Sequence, residues 1–197
     1  MNDFWNKRFA AEEYVYGETP NQFFKQELEK IKSGKILLPG EGEGRNAVFA
    51  AKLGWEVFAF DPSIEGRKKA IKLAEKNNTT INYKLDGYET IQYKPDEFDC
   101  IALIFTHMPA HKRNEYHRKL ASFLKPGGTL ILEGFSKEQI NNNTGGPRNV
   151  EMLFSNDELK KDFDLFSKIE IIKTETILEV GETHKGSSSV LRLIAIK

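Results

Sequence analysis

The segment from Ile36 to Asp61 constrains the fold more than any other part of the chain. It opens with a short apolar run typical of a buried strand, and glycines then occupy three alternate positions, Gly40, Gly42 and Gly44. Glycine adopts backbone conformations that other residues avoid, so the chain can turn tightly and lie close to a ligand. A helix that begins at Arg45 would direct its first amide groups toward the same place. This order of elements predicts a nucleotide-binding turn.

A second apolar run, residues 55–60, ends at Asp61. In a parallel sheet this carboxylate would lie at the end of its strand, where it can accept hydrogen bonds from both hydroxyls of a ribose. The segment therefore predicts a nucleotide pocket, although it does not say which nucleotide is bound.

Apolar runs and helical patterns alternate through most of the chain. The predicted strands cover 36–39, 55–60, 81–85, 98–105 and 128–134, and the predicted helices cover 45–53, 64–76 and 110–124. Such alternation favours parallel strands joined by crossover helices. The last third differs, since 168–180 and 189–197 are rich in isoleucine, valine and leucine and are joined by a short loop. We expect these two segments to be antiparallel neighbours.

Length and charge exclude several classes of protein. With 197 residues the chain fits one domain, and its 29 basic residues balance its 29 acidic residues, so no net charge favours nucleic acid or an anionic membrane as a partner. The N-terminus lacks the pattern of a signal peptide, and no apolar run approaches the roughly 20 residues that span a bilayer. We expect a cytoplasmic protein with a small-molecule substrate. The sequence predicts no metal site and gives no indication of oligomeric state.

These motifs together resemble the class I S-adenosylmethionine-dependent methyltransferases. Gly40, Gly42 and Gly44 match the glycine-rich first motif of that family, Asp61 its ribose-binding acid, and Asp86 the acid near the adenine. Phe98-Asp99 before an apolar strand and Lys125-Pro126-Gly127-Gly128 before the next are also similar. A narrower similarity to the small tellurite-resistance and thiopurine methyltransferases rests on Trp5, Arg8, Tyr16-Gly17, Pro20-Asn21 and Gly44-Arg45-Asn46-Ala47.

The resemblance implies a Rossmann-like three-layer αβα sandwich whose sheet has seven strands, mostly parallel, with the last strand antiparallel. It implies one domain over 1–197, with N-terminal cap helices in 1–34 and the Rossmann-like core in 35–197. S-adenosylmethionine is the implied cofactor. The residues implied to bind it are Tyr16, Gly40, Gly42, Gly44, Arg45, Asp61, Pro62, Asp86, Gly87 and Phe105.

The chain departs from the family pattern at two positions. The family commonly has an acid two residues before the first glycine, where this chain has Leu38, and Glu41 occupies a position often held by a small residue. The acid would lie near the amino group of the cofactor. Either Glu43 or backbone carbonyls could supply the missing contact.

Two other functions fit parts of the sequence. From Gly42 to Ala47 the chain also matches the dinucleotide fingerprint, with alanine at its third position, so an NAD(P)-binding oxidoreductase is the alternative enzyme. A protein that binds S-adenosylmethionine without catalysis is the other alternative, because fold alone does not prove activity. The antiparallel ending and the acid after the third strand favour the methyltransferase.

The histidines carry the predictions about substrate. Methyl transfer to a thiol or a reduced chalcogen needs no base, whereas oxygen and nitrogen nucleophiles often do. His107 follows the fourth strand and is the candidate general base, with a role in holding its loop as the equal alternative. His117 lies on a basic helical face and is predicted to be solvated. His184 falls in the terminal turn at the same predicted sheet edge.

Overall fold

The computed structural model describes residues 2–180 and 184–197. The terminal turn predicted to carry His184 lies outside the described residues, as does the side chain of His184 itself. The chain divides into two compact units, residues 1–92 and 93–197. Seven strands form the sheet, three from the first unit and four from the second.

The first unit contains the predicted nucleotide-binding elements. They are α1 (Asn2–Phe9), α2 (Gln22–Leu28), β1 (Lys35–Pro39), α3 (Arg45–Lys52), β2 (Glu56–Asp61), α4 (Ile64–Lys76) and β3 (Asn82–Leu85). The three strands run parallel in the order β3-β2-β1, and Leu38 pairs with Ala59 while Asp61 pairs with Leu85. The register places the glycine turn and Asp61 at the carboxyl ends of adjacent strands.

The second unit contains the remaining elements. They are β4 (Phe98–Ile104), α5 (Ala110–Phe123), β5 (Leu124–Phe135), the 3₁₀ turns η1 (Lys137–Asn141) and η2 (Val150–Met152), α6 (Asn156–Asp162), β6 (Lys168–Val180) and β7 (His184–Ile196). The strand order is β4-β5-β7-β6, in which β4 and β5 are parallel while β7 is antiparallel to both of its neighbours. The predicted α/β fold, with seven mostly parallel strands and an antiparallel last strand, is confirmed.

Two local predictions need correction. Strand β5 begins at Leu124 instead of residue 128, because the Lys-Pro-Gly-Gly segment forms a bulge within the strand: Phe98 pairs with Leu124, and Cys100 with Thr129. The sequence Thr19-Pro20-Asn21-Gln22 predicts a helix start with threonine as its cap, but helix α2 is capped by Asn21, whose side chain accepts a hydrogen bond from the Phe24 amide. In the described part of the chain, no helix is long and apolar enough to cross a membrane.

Candidate functional site

The glycine turn has the backbone that its sequence predicts. Gly40, Gly42 and Gly44 all have positive φ angles, of 61°, 60° and 88°. A Cβ atom on Gly44 would lie 2.6 Å from the Cβ of Ala70 on α4, so only glycine allows the helices α3 and α4 to approach this closely. The Gly40 amide donates to the Phe60 carbonyl over 2.8 Å, which fixes the turn to the end of β2.

Glu41 caps the helix that follows the turn. Its Oε1 atom accepts hydrogen bonds from the amides of Asn46 and Ala47, each over 2.8 Å. Burial raises the pKa of this carboxyl group to about 7, although the hydrogen bonds and the nearby Arg45 act in the opposite direction. In the sequence, Glu41 is only a departure from the family pattern, and nothing near it indicates this capping role.

Glu43 holds the N-terminal segment against the glycine turn. Its carboxylate accepts hydrogen bonds from the amides of Val15 and Tyr16, over 3.1 and 3.2 Å, and forms a 2.8 Å ion pair with Lys69. The side chain is buried, with 3% of its surface exposed. These three donors occupy most of the acceptor positions of the Glu43 carboxylate, which favours the other source that the sequence left open, the backbone carbonyls, for the contact missing at Leu38.

Asp61 is buried at the end of β2, with 6% of its surface exposed. Its Oδ1 atom accepts from the Ser63 amide over 2.8 Å, and the Gly42 amide also donates to the carboxylate. Burial raises the pKa to about 6, and the two amide hydrogen bonds oppose that shift. Asp61 thus links the predicted ribose-binding position directly to the glycine turn.

Asp86 and Gly87 lie beyond the end of β3. The Asp86 amide donates to the Asp61 carbonyl over 3.3 Å, which brings the two predicted cofactor-binding acids to the same end of the parallel strands. The Asp86 carboxylate accepts from the Gly87 amide and the Thr90 hydroxyl. Pro62, partly buried, connects Asp61 to α4.

Tyr16 and Arg45 are joined by a hydrogen bond, in which the Arg45 guanidinium donates to the Tyr16 carbonyl over 3.1 Å. The Tyr16 ring lies 5.4 Å from the Arg8 guanidinium and packs edge-on against Phe9. This hydrogen bond holds residues 14–17 against the glycine turn. The aromatic side chains of α1 pack against one another, and Phe9 among them contacts Tyr16.

In the second unit, Phe105 follows β4 with a positive φ of 55°, a conformation unusual for a side chain of this size. Its amide donates to the Glu133 carbonyl over 2.7 Å, and its ring packs 4.7 Å from that of Phe135. Phe105 remains a predicted cofactor-binding residue.

Both ring nitrogens of His107 are hydrogen bonded to the backbone. Nδ1 lies 2.8 Å from the Met152 carbonyl, and Nε2 accepts from the Phe135 amide over 3.1 Å. The ring stacks between Phe135 and Phe154, and burial lowers its pKa to about 4. A general base needs a nitrogen that can accept a proton from the substrate. This geometry favours the loop-holding role that the sequence left open.

His117 is not solvated, contrary to the prediction. It is fully buried, and its Nδ1 atom lies 2.8 Å from Oδ2 of Asp162 on α6. The same carboxylate accepts hydrogen bonds from Arg113 and Asn114, over 2.8 and 2.9 Å. The basic residues around His117 in the sequence gave no indication of this buried hydrogen-bond network, which joins α5 to α6.

Among the described residues, no group of three or more histidine, cysteine or acidic side chains is arranged to hold a metal ion.

A known protein family matches the part of the chain that contains the glycine turn. Residues 36–128 match a protein-family model described as a methyltransferase domain, and that range includes the glycine turn, Asp61 and Asp86. No curated protein matches the chain significantly.

Solved structures share the fold of the whole chain at low sequence identity. One, from work on the conversion of a disulfide bond into a thioacetal group during echinomycin biosynthesis, has a TM-score of 0.79 at 14% identity, and the match covers 100% of this chain and 92% of that one. TehB from Haemophilus influenzae has a TM-score of 0.71 at 18% identity, covering 100% of this chain and 66% of TehB. Phosphoethanolamine N-methyltransferase 2 from Haemonchus contortus, in complex with phosphomonomethylethanolamine and S-adenosylhomocysteine, has a TM-score of 0.70 at 14% identity, covering 98% and 57%.

The matched domain contains the glycine turn and both acids, and the fold extends over the rest of the chain. Residues 36–128 of the chain therefore match a methyltransferase domain, and the whole chain shares the fold of these solved structures.

Proposed function

We propose that this protein transfers the methyl group of S-adenosylmethionine, the methyl donor of its class, to a small-molecule nucleophile. The observation that carries the proposal is the buried carboxylate of Asp61 beside the glycine turn. A carboxylate offers about four acceptor positions, and here two amides, from Gly42 and Ser63, occupy part of that capacity. A ribose with two adjacent hydroxyl donors fits the remainder.

S-adenosylmethionine supplies a methyl group on a positively charged sulfur, which a nucleophile attacks from the opposite side. The residues of this chain contribute binding and orientation. In this proposal the glycine turn lets the backbone approach the ligand, Asp61 would orient the ribose, and Asp86 would meet the adenine. The aromatic rings near Tyr16 offer faces that attract a positively charged sulfur, an effect worth about 0.5–2 kcal/mol.

A soft nucleophile, such as a thiolate or a reduced chalcogen, is the substrate class that we favour. Such nucleophiles arrive ionised and need no base, and the hydrogen bonds of His107 leave neither of its nitrogens to act as one. The narrower similarity to tellurite-resistance and thiopurine methyltransferases supports the same class.

Calorimetric titration separates the proposed cofactor from the alternative one. We expect the purified protein to bind S-adenosylhomocysteine saturably and to show no binding of NAD. In the proposed site, the glycine turn and the acids bind an adenosine that carries an amino-acid arm, and NAD has no such arm. Saturable binding of NAD alone would make the protein a nicotinamide-binding one. A methyl-transfer assay over thiols, selenite, tellurite, amines and phenols then distinguishes an enzyme from a protein that only binds the cofactor.

Replacing Asp61 with asparagine or alanine is expected to weaken S-adenosylhomocysteine binding by about 1–3 kcal/mol, because the ribose loses a charged hydrogen-bond acceptor. Asparagine keeps an acceptor for the Ser63 amide, so it separates ligand contact from damage to the turn. Asp164→Ala, on the exposed surface of the other unit, is the control and should bind normally. Unchanged affinity in both Asp61 variants would remove this residue from the site.

A further inference from the structure

Strand β6 forms an edge of the sheet. Among the described strands only β7 pairs with it, from Lys168 to Val180 and without a register shift. The outward-facing amides and carbonyls of β6 therefore meet no other strand in the described part of the chain. Natural sheets often protect such an edge with a proline, a bulge or a very short strand, whereas β6 runs for 13 residues without proline or bulge.

Two large apolar side chains are exposed on this strand. Ile172 has 63% of its surface exposed and Ile177 has 72%, and their positions along the strand place them on opposite faces of the sheet. A partner that covered only one face would leave one of them in water. A strand added to the edge lies beside both, because its own side chains alternate between the two faces.

We propose that a second copy of this chain adds its own β6 to this edge, so that two molecules form one continuous sheet around a two-fold axis. An axis perpendicular to the sheet makes the two strands antiparallel and makes each pair of opposite residues occur twice. When all 13 residues of both strands are paired, the middle residue, Thr174, lies on the axis. This surface is independent of the proposed methyl transfer.

The charges on β6 favour this register. It places Lys173 opposite Glu175 of the second copy, and the symmetry repeats the pair on the other side of the axis. An axis at residue 173 or at residue 175 would instead place two lysines or two glutamates opposite each other, which is unfavourable. Lys173 is 50% exposed and forms a 2.6 Å ion pair with Glu138, which uses one of the three N–H donors of its ammonium group. Glu175 is exposed as well.

The same register gives both exposed isoleucines a neighbour. Ile177 lies opposite Ile171 of the second copy, and Ile172 lies opposite Thr176. Pairs of β-branched side chains in such positions stabilise antiparallel sheets. Between residues 170 and 178, no side chain is opposite one of like charge. The charges and the apolar residues therefore favour the same arrangement.

Charge reversal tests the register. We expect the wild-type protein to sediment as a dimer in analytical ultracentrifugation, and K173E and E175K each to weaken the dimer about tenfold or more, because each creates two like-charge pairs across the axis. The double variant K173E/E175K restores both pairs and should dimerise like the wild type. An equimolar mixture of the two single variants should form a mixed dimer, in which both pairs are attractive again. The matched control is E170K on the same strand, whose charge lies opposite Leu178, and it should change the dimer affinity less than about twofold.

A cysteine at the axis gives a second measurement. The chain has a single cysteine, Cys100, which is buried. In T174C the new thiol lies opposite its own copy, with about 4.5–5.5 Å between the Cα atoms, a distance that a disulfide can span. We expect oxidised glutathione to cross-link T174C dimers. In T176C the two thiols lie four residues apart along the strands, roughly 13 Å, and should not be cross-linked.

Three results would overturn the inference. A wild-type protein that sediments as a monomer at every concentration would show that the edge stays open. A dimer that neither charge reversal weakens would place the contact on another surface. Folded single variants that do not associate when mixed, or T176C that cross-links as readily as T174C, would show that the proposed register is wrong.

Discussion

Replacing Asp162 with alanine is expected to lower the free energy of unfolding by about 3 kcal/mol, because the substitution removes the nearer of the two carboxylates of the buried Arg113 and leaves only Glu158, 3.5 Å away. Arg113 is 7% exposed, and its Nε atom donates to Asp162 over 2.8 Å. His117 and Asn114 lose their acceptor in the same substitution. Urea denaturation, followed by circular dichroism, measures the change in the free energy of unfolding.

An exposed ion pair nearby provides the control for Asp162. Asp164 pairs with Arg118 over 2.8 Å, but both side chains are well exposed, at 50% and 40%, so Asp164→Ala should cost less than about 1 kcal/mol. A similar small loss for Asp162→Ala would show that the network contributes little to stability. Replacing Arg113, His117 and Asp162 together by apolar residues should recover much of the lost stability, since no charge then remains buried without a partner.

The helical spacing of residues in α5 indicates that His117 is buried, although the charged residues around it suggest a solvated face. Arg113, His117 and Leu120 are spaced as i, i+4 and i+7, which places them on one helical face, and the apolar character of Tyr116 and Leu120 on that face indicates that it is buried. The partner could not be predicted. Asp162 lies 45 residues away, and its position depends on how α6 packs against α5.

The fold was predictable because its elements follow local patterns. Alternating apolar runs and helical repeats predict the parallel strands. Two segments rich in isoleucine, valine and leucine, joined by a short loop, predict the antiparallel pair at the end of the chain. The site was predictable only where backbone conformation decides it, as at Gly44, whose positive φ and contact with Ala70 require glycine. Side chains that act through distant partners were not predictable. Nothing near Glu43 in the sequence indicates that it binds Lys69 and two amides of the N-terminal segment.

His107 should make the stability of the protein fall between about pH 6.5 and pH 4. The usual pKa of histidine, 6.5, applies to the unfolded chain, whereas burial lowers the pKa in the folded protein to about 4. Below pH 6.5 the unfolded state therefore takes up a proton that the folded state does not. The folded protein loses about 3 kcal/mol by pH 4, because each unit of pKa difference corresponds to about 1.4 kcal/mol.

The effect of His107 has to be measured as a difference between two proteins. Burial raises the pKa of Glu41 to about 7 and that of Asp61 to about 6, so the folded state takes up protons at these two sites over the same pH range and gains stability as the pH falls. His107→Gln removes the titrating ring and leaves both acids in place. The free energies of unfolding of the wild type and this variant, measured in urea from pH 7.5 to 4, should converge by about 3 kcal/mol as the pH falls. Parallel profiles would show that the His107 ring ionises in the folded protein, because only a ring that stays neutral between its two backbone partners produces the convergence.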